Sequence, residues 1–177
     1  MLSQYQPRGE TEAADLARVR AFVASEKDPW ARATPLHLTG SALVVHPESR
    51  RVLLRWHARQ RAWLQVGGHG DAGESDPLAV AMREGVEETG LEDLRPWPDA
   101  RLVHLVIVSV PAKGDEPAHE HADLRFVLAT STPDAARPEK PDAPLRWLSI
   151  ADALEATTEA NLRESLTRVG NLFIAQG

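Results

Sequence analysis

Residues 67–91 read GGHGDAGESDPLAVAMREGVEETGL, a glycine turn followed by a short and strongly acidic helical pattern. Asp76 suits the N-cap of a helix, and Pro77 suits its first turn. Gly90 suits the left-handed conformation that often follows the last helical residue. Together these signals predict a helix over residues 77–89.

Three glutamates of this helix would lie close to one another. Glu84, Glu87 and Glu88 are spaced i, i+3 and i+4, so their carboxylates share one strip of the helix surface. Each close pair of like charges costs about 0.2–0.5 kcal/mol on an exposed helix. One interpretation is a solvated acidic face. The adjoining Gly67–Gly68 turn, which lets the backbone approach a ligand, favours a second, because Mg²⁺ binds carboxylates, water and phosphate oxygens.

The stretch resembles the Nudix box, G-x5-E-x7-R-E-U-x-E-E-x-G-U, in which U is an aliphatic residue. The matching residues are Gly68, Glu74, Arg83, Glu84, Glu87, Glu88, Gly90 and Leu91. The resemblance implies an α/β fold, the Nudix α/β/α sandwich, with a mixed β-sheet between helices. It also implies a hydrolase that acts on phosphoric anhydride (diphosphate) bonds.

The chain departs from the box in its spacing. Eight residues rather than seven separate Glu74 from Arg83. We place the extra residue at Ser75–Asp76, before the helix, because an insertion inside the helix would rotate the carboxylates by roughly 100°. This placement keeps the phase of the acidic strip and leaves Glu74 to reach Arg83 from a shifted loop.

A second departure is Gly85, which stands where the box has an aliphatic residue. Glycine costs about 1 kcal/mol relative to alanine inside a helix. It leaves room for a bulky neighbour, for which Trp63 and Trp147 are candidates. The same two tryptophans and Trp56 could instead stack on a nucleobase, although tryptophan more often lies in a core or an interface.

The resemblance implies a site for Mg²⁺ or Mn²⁺. Its ligands would be the Gly67 carbonyl oxygen and the carboxylates of Glu84, Glu87 and Glu88. Arg83 would orient one glutamate, Glu87 or Glu74, through a charge-assisted hydrogen bond. The implied catalytic residues are Arg83, Glu84, Glu87 and Glu88, and the implied structural supports are Gly68, Glu74 and Gly90.

The general base is open at this point. Glu84 is one candidate. Family members also recruit a carboxylate from a downstream loop. The loop candidates in this chain are Glu116, Glu120, Glu139 and Asp142.

A second unusual stretch, PAHEHADLRF, covers residues 117–126. On a strand, His119, His121, Asp123 and Arg125 would alternate onto one face. This face could be polar and half-exposed, or it could contact substrate through His121 or Arg125. A transition-metal site is a third interpretation, weakened because two imidazoles without further evident ligands make a poor zinc site. His69 follows the glycine turn and is predicted, with His121 and Arg125, to bind substrate.

The remaining pattern predicts one Nudix domain over residues 37–177, preceded by a tail and helical extension over residues 1–36. The extension helix starts near Thr11 and could pack on the domain or on a second copy of the chain. The predicted strands are the hairpin 34–57 and segments 62–68, 100–112, 122–131 and 145–149, and the predicted C-terminal helices are 150–156 and 159–175.

Composition restricts the partners. The net charge of −6 argues against binding a nucleic-acid backbone, but not against a small anionic substrate held through a metal. The chain has no cysteine, which excludes disulfides and thiolate chemistry. With neither a signal pattern nor a membrane-length apolar run, we expect a cytoplasmic protein that does not contact membranes. A homodimer is expected by analogy with the family.

We therefore predict a metal-dependent pyrophosphohydrolase that cleaves a nucleoside diphosphate linked to another moiety, by attack of water at phosphorus. Two alternatives remain. One is a non-hydrolytic nucleotide-binding regulatory Nudix domain, which has less need of three crowded carboxylates. The other is a diphosphate isomerase, which would need a further acid/base pair.

Overall fold

The order of helices and strands follows the predicted one closely. The computed structural model describes residues 1–176, and Gly177, the last residue of the predicted domain, lies outside the described residues. The helices are α1 (Glu10–Ser25), α2 (Pro77–Thr89), α3 (Ile150–Ala156) and α4 (Ala160–Ala175), with short 3-10 turns at Leu2–Gln4 and Pro133–Ala135. The strands are β1 (Leu36–His46), β2 (Arg51–His57), β3 (Ala62–Leu64), β4 (Val66–His69), β5 (Arg95–Pro96), β6 (His104–Val110), β7 (His119–Ala129) and β8 (Leu145–Ser149).

These strands form one mixed, eight-stranded sheet. The central strand β1 runs parallel to β7 and antiparallel to β2 and β4. Strands β3 and β8 pair with β2, whereas β5 and β6 pair with β7. The parallel pair is buried, as expected where helices cover both faces of a sheet.

Alternate residues of β1 belong to two different cores. Ala42 and Val44 pack in a core to which α1 and α2 contribute, whereas Leu43 and Val45 pack in a core to which α3 and α4 contribute. The period-two alternation of a strand therefore separates the two layers. This arrangement confirms the predicted α/β/α sandwich.

Two details differ from the sequence prediction. The segment predicted as one strand over residues 62–68 is two strands that separate at Gln65 and pair with different neighbours, β2 and β1. The short strand β5 was not predicted, because two residues are too few to show a periodicity. No helix in residues 1–176 is long and apolar enough to cross a membrane.

Helix α1 packs on the domain that follows it, through Leu16 and Val19 in the first core. Its Glu12 also accepts a hydrogen bond from Arg168 of α4, with 2.8 Å between Oε2 and Nη2, and another from Tyr5. Burial alone would raise the pKa of Glu12, but these hydrogen bonds outweigh it and lower that pKa. A buried ion pair thus joins the N-terminal extension to the last helix, and the boundary at residue 36 stays a prediction.

Candidate metal and substrate site

Helix α2 begins and ends where its signals place it. The Asp76 side chain accepts a hydrogen bond from the Leu78 N–H at 3.0 Å, and Gly90 has the left-handed φ of 67°. The helix is a regular α-helix throughout, so the extra residue of the box lies before Pro77. The glutamates therefore keep the spacing that puts their carboxylates on one strip.

Gly85 on this helix faces aliphatic side chains. A Cβ built on it would lie 2.9 Å from Leu94 Cδ1 and 3.4 Å from Leu128 Cδ1. The expectation that Trp63 or Trp147 fills this space is wrong, because Leu94 of the loop after α2 and Leu128 of β7 lie beneath this part of the helix.

Arg83 ties the acidic residues together. Its guanidinium lies 3.0 Å from Glu74, 3.0 Å from Glu84 and 2.9 Å from Glu87. It also donates a hydrogen bond to the His69 carbonyl oxygen at 2.8 Å. The hydrogen bonds from Arg83 lower the pKa of Glu74. Both partners expected for this arginine are thus in contact with it, and the shifted loop still delivers Glu74.

Glu88 is the most buried carboxylate of the strip, with 9% of the residue exposed. It accepts a hydrogen bond from the Gly67 N–H at 3.0 Å and pairs with Arg55 of β2 at 3.2 Å. Burial raises the pKa of Glu88 to about 7, in spite of the opposing charge of Arg55. Arg55 was not predicted, since it lies 33 positions before Glu88 in the chain and only the fold brings them together.

The Glu84 carboxylate lies against the glycine turn. A Cβ built on Gly68 would lie 2.5 Å from Glu84 Oε1, so a larger residue would displace the carboxylate. Burial also raises the pKa of Glu84. Buried carboxylates beside a glycine turn supply oxygen ligands of the kind that Mg²⁺ and Mn²⁺ bind. The residues present therefore fit a hard divalent cation.

The four downstream carboxylates occupy different surroundings. Glu139 lies 3.7 Å from Arg55 and so reaches the partner of Glu88. Glu116 pairs with Arg59 at 2.7 Å, and Glu120 pairs with Arg18 of α1. Asp142 is exposed. Among these candidates, Glu139 is the one linked to the acidic strip.

A cavity of about 270 Å³ opens beside the glycine turn. It is lined by Gly67, Gly68 and all three residues predicted to bind substrate, namely His69, His121 and Arg125. The glycine turn therefore borders the cavity and also contacts the carboxylates of α2. Trp56, Trp63 and Trp147 are not among the described residues that line it, and Trp56 instead packs edge-on against Trp63, with 5.5 Å between ring centroids.

Asp123 and Arg125 form the floor of this cavity. Asp123 accepts hydrogen bonds from Ser41 at 2.6 Å and from Arg125 at 2.7 Å. Arg125 also donates to Asn161 at 2.8 Å and to Ser165 at 3.1 Å. The interpretation of a half-exposed polar face is wrong for these two residues, because the parallel β1–β7 pair and helix α4 bury them.

Four histidines meet at the end of the cavity. The Nε2 atoms of His37 and His69 are 3.1 Å apart, as are those of His119 and His121. Burial lowers the pKa of His69 to about 3 and that of His121 to about 4. The sequence prediction missed this cluster, because His37 is opposite His121 only through the parallel register of β1 and β7. The His-x-His pair therefore has two further imidazoles beside it, which the sequence prediction did not foresee.

Comparison with known proteins agrees with this geometry. The model of the NUDIX domain matches residues 36–169. The chain therefore belongs to the Nudix hydrolase family, as its acidic helix predicts.

A sequence relative is the "Probable DHNTP pyrophosphohydrolase" of Lactococcus lactis subsp. cremoris (strain MG1363), which is 32% identical over 108 residues. The match covers 60% of this chain and 61% of the relative, so the chain spans about three fifths of that protein's length.

Two solved structures share the fold. A C. elegans Ap4A hydrolase in a binary complex superposes with a TM-score of 0.62 at 20% identity, covering 79% of this chain and 98% of that one. The E. coli dihydroneopterin triphosphate pyrophosphohydrolase superposes with a TM-score of 0.59 at 19% identity, covering 78% of this chain and 97% of that one.

Proposed function

We propose that the protein is a metal-dependent pyrophosphohydrolase that cleaves a nucleoside diphosphate linked to another moiety, by attack of water at phosphorus. The observation that carries the proposal is the placement of Glu84 and Glu88 against the Gly67–Gly68 turn, which also lines the cavity. We infer that a phosphate chain extending from the cavity past this turn would come close to the carboxylates.

The Gly67 carbonyl oxygen and the carboxylates of Glu84, Glu87 and Glu88 would hold Mg²⁺ or Mn²⁺. When bound, the ion neutralises phosphate charge and makes a bound water more acidic. Glu84 and Glu88 approach from the buried side of the helix, whereas Glu87, half of whose side chain is exposed, approaches from solvent. In this proposal the ion lies where the acidic strip meets the glycine turn.

Arg83 forms ion pairs with both Glu84 and Glu87. Its positive charge offsets the repulsion between the two carboxylates, so that they stay close together. Glu74 supports Arg83 from the preceding loop, while Gly68 and Gly90 provide the close approach and the helix end. Because these contacts already fix the reacting groups, the groups need little reorganisation during the reaction, which is the main advantage of a preorganised site.

Two carboxylates remain as acceptors of the proton from the attacking water. Glu84 has a pKa raised by burial, and a higher pKa makes a carboxylate a better base near neutral pH. Glu139 lies on the loop before β8 and reaches the site through Arg55. Because Glu84 is also a proposed metal ligand, Glu139→Gln is the variant that separates the two candidates. A large loss of kcat assigns the base to Glu139, and a kcat near that of the wild type assigns it to Glu84.

The cavity supports a small-molecule substrate whose base or other ring binds beside His69, His121 and Arg125. The net charge of −6 supports a small anion rather than a nucleic acid as partner. Because relatives are named for dihydroneopterin triphosphate and Ap4A, both compounds belong among the substrates to test. A cytoplasmic location and a homodimer complete the proposal, and the dimer is checked by light scattering.

The proposal is tested with a panel of nucleoside diphosphate derivatives, nucleoside triphosphates, dihydroneopterin triphosphate and Ap4A. Release of phosphate, pyrophosphate or a nucleotide is measured with Mg²⁺, with Mn²⁺ and with chelator. We expect turnover of at least one compound only when a divalent ion is present. Tight binding without turnover across the panel would reject hydrolysis in favour of the regulatory nucleotide-binding domain.

Metal binding should stabilise the fold, because it relieves the repulsion among buried carboxylates. At a free metal concentration about a hundredfold above Kd, the gain is about 2.7 kcal/mol, or roughly 5–10 °C in Tm. We expect this shift from Mg²⁺ or Mn²⁺ in the wild type and a much smaller one in Glu84→Gln/Glu88→Gln, as measured by thermal unfolding.

The matched control is Glu48→Gln/Glu155→Gln, which removes the same charge from exposed glutamates. It should keep the wild-type response to metal. Equal shifts in both double variants would show that the acidic strip is not the metal site.

A further inference from the structure

The proposed hydrolysis uses His69 and His121 of the four-histidine cluster only as neighbours of the substrate, and it gives no role to His37 or His119. Its members come from three adjacent strands: His37 from β1, His69 from β4, and His119 and His121 from β7. The ring centroids of five of the six pairs are between 4.8 and 5.3 Å apart. Strands of one sheet hold these side chains rigidly, which distinguishes the cluster from a chance meeting of loop histidines.

We propose that His37, His69 and His121 form a second metal site, for a transition-metal ion of the Zn²⁺ class, separate from the carboxylate site of α2. One ligand atom from each of the three lies within 4.8 Å of the others. Two nitrogens that are each about 2.1 Å from a tetrahedral zinc ion lie roughly 3.4 Å apart. Small rotations of the imidazole rings would bring separations of up to 4.8 Å to this distance. The 3.1 Å separation of the His37 and His69 nitrogens is already close to the distance that zinc requires.

The orientation of the His37 ring favours this use. The Nδ1 of His37 lies 3.0 Å from the Thr34 carbonyl oxygen. A carbonyl only accepts, so this Nδ1 carries the proton and the His37 Nε2 offers its lone pair to the cluster. Metal-binding histidines are held in this way, with the second ring nitrogen donating to a backbone carbonyl.

The ligand type selects the ion. An all-imidazole set suits Zn²⁺, Cu²⁺ or Ni²⁺, whereas Mg²⁺ prefers the oxygen ligands of the acidic strip. Glu116 lies 3.8 Å from His119, and its negative charge favours a cation nearby. The positive charge of Arg32 opposes it. Three protein ligands leave one coordination position open, and the cavity lined by His69 and His121 gives a substrate group access to it.

The test uses Zn²⁺ alone, with the full chain freed of metal by chelation. Zinc is titrated calorimetrically in a large excess of Mg²⁺, so that the carboxylate site is already filled. We expect one zinc equivalent to bind in the wild type. Loss of an outer-shell partner alone costs about 10–100-fold in affinity, so removing a direct ligand in His37→Ala or His121→Ala should cost at least about a hundredfold.

Two control variants test whether zinc binds at these histidines or elsewhere on the chain. His46→Ala removes an imidazole outside the cluster and should leave zinc affinity unchanged. Glu84→Gln/Glu88→Gln should also keep it, which makes the outcome independent of the proposed hydrolase function. His69→Asn, which keeps a polar side chain, serves as a further ligand variant, and circular dichroism verifies that each variant folds.

X-ray absorption of the zinc-loaded protein should show a first shell of nitrogen ligands at about 2.0–2.1 Å. The proposal is overturned if the wild type binds no zinc in excess Mg²⁺. It is equally overturned if zinc binding survives in His37→Ala and His121→Ala, or disappears in Glu84→Gln/Glu88→Gln.

Discussion

Glu88→Gln is expected to lower kcat by at least about a hundredfold, equivalent to about 2.7 kcal/mol of transition-state stabilisation. The substitution keeps the shape of the side chain and its hydrogen bond with Gly67 but removes a charge from the proposed metal site. Charge neutralisation at the phosphoryl group is needed most in the transition state, so kcat falls more than substrate affinity does. Steady-state kinetics on a compound turned over by the wild type measure the two effects separately.

Glu155→Gln is the matched control, because it changes an exposed glutamate of α3 in the same way. It should leave kcat unchanged. Arg55 loses one partner in Glu88→Gln but keeps Glu139, so the variant should still fold, and thermal unfolding verifies this. A kcat within a few-fold of the wild type would remove Glu88 from the catalytic group.

Arg168→Met is expected to destabilise the protein by about 3–5 kcal/mol, the usual cost of leaving one member of a buried ion pair uncompensated. Both side chains of the Glu12–Arg168 pair are almost fully buried, with 4% and 2% exposed. Arg168 also donates to the Val103 carbonyl oxygen at 2.8 Å, so its loss leaves a backbone group without this partner. Urea unfolding measures the change in the free energy of unfolding.

The control is Arg18→Met, which breaks the more exposed pair with Glu120 and should cost less than about 1 kcal/mol. The double variant Glu12→Leu/Arg168→Met should recover part of the loss, because a buried ion pair can often be replaced by apolar residues. Similar small losses in Arg18→Met and Arg168→Met would show that the buried pair does not hold α1 to α4.

The stabilisation that the Glu12–Arg168 pair provides should depend on pH in a defined direction. The pKa of Glu12 is lower in the folded protein than its ordinary value of 4.5. The stabilisation is therefore present above pH 4.5 and is lost as the pH falls through the folded pKa. Unfolding free energies of the wild type and Glu12→Gln should converge as the pH falls from 4.5 to about 2.

The parts of the site that depend on local signals were predictable from the sequence. Asp76, Pro77 and Gly90 define the ends of α2 through interactions within one or two turns of helix, and the phase of the glutamates follows from those ends. The alternation of His119, His121, Asp123 and Arg125 along β7 is equally local. Each of these features needs only the geometry of a single helix or strand.

The parts that depend on pairing between distant strands were not predictable. Arg55 of β2 comes within 3.2 Å of Glu88 of α2 only in the folded chain, and nothing near either residue in the sequence signals the other. His37 meets His121 through the register of two parallel strands whose members are 84 positions apart. A shift of one residue in that register would turn His37 to the opposite face of the sheet.

The most direct test of the central claim is the position of the oxygen that water delivers. A compound that the protein turns over is hydrolysed in ¹⁸O-labelled water with Mg²⁺, and the products are examined by mass spectrometry. Because water is proposed to attack phosphorus at the carboxylate site, one ¹⁸O atom should appear in a phosphate group of one product. Label in a carbon-bound hydroxyl group, with both phosphate-containing products unlabelled, would contradict attack at phosphorus.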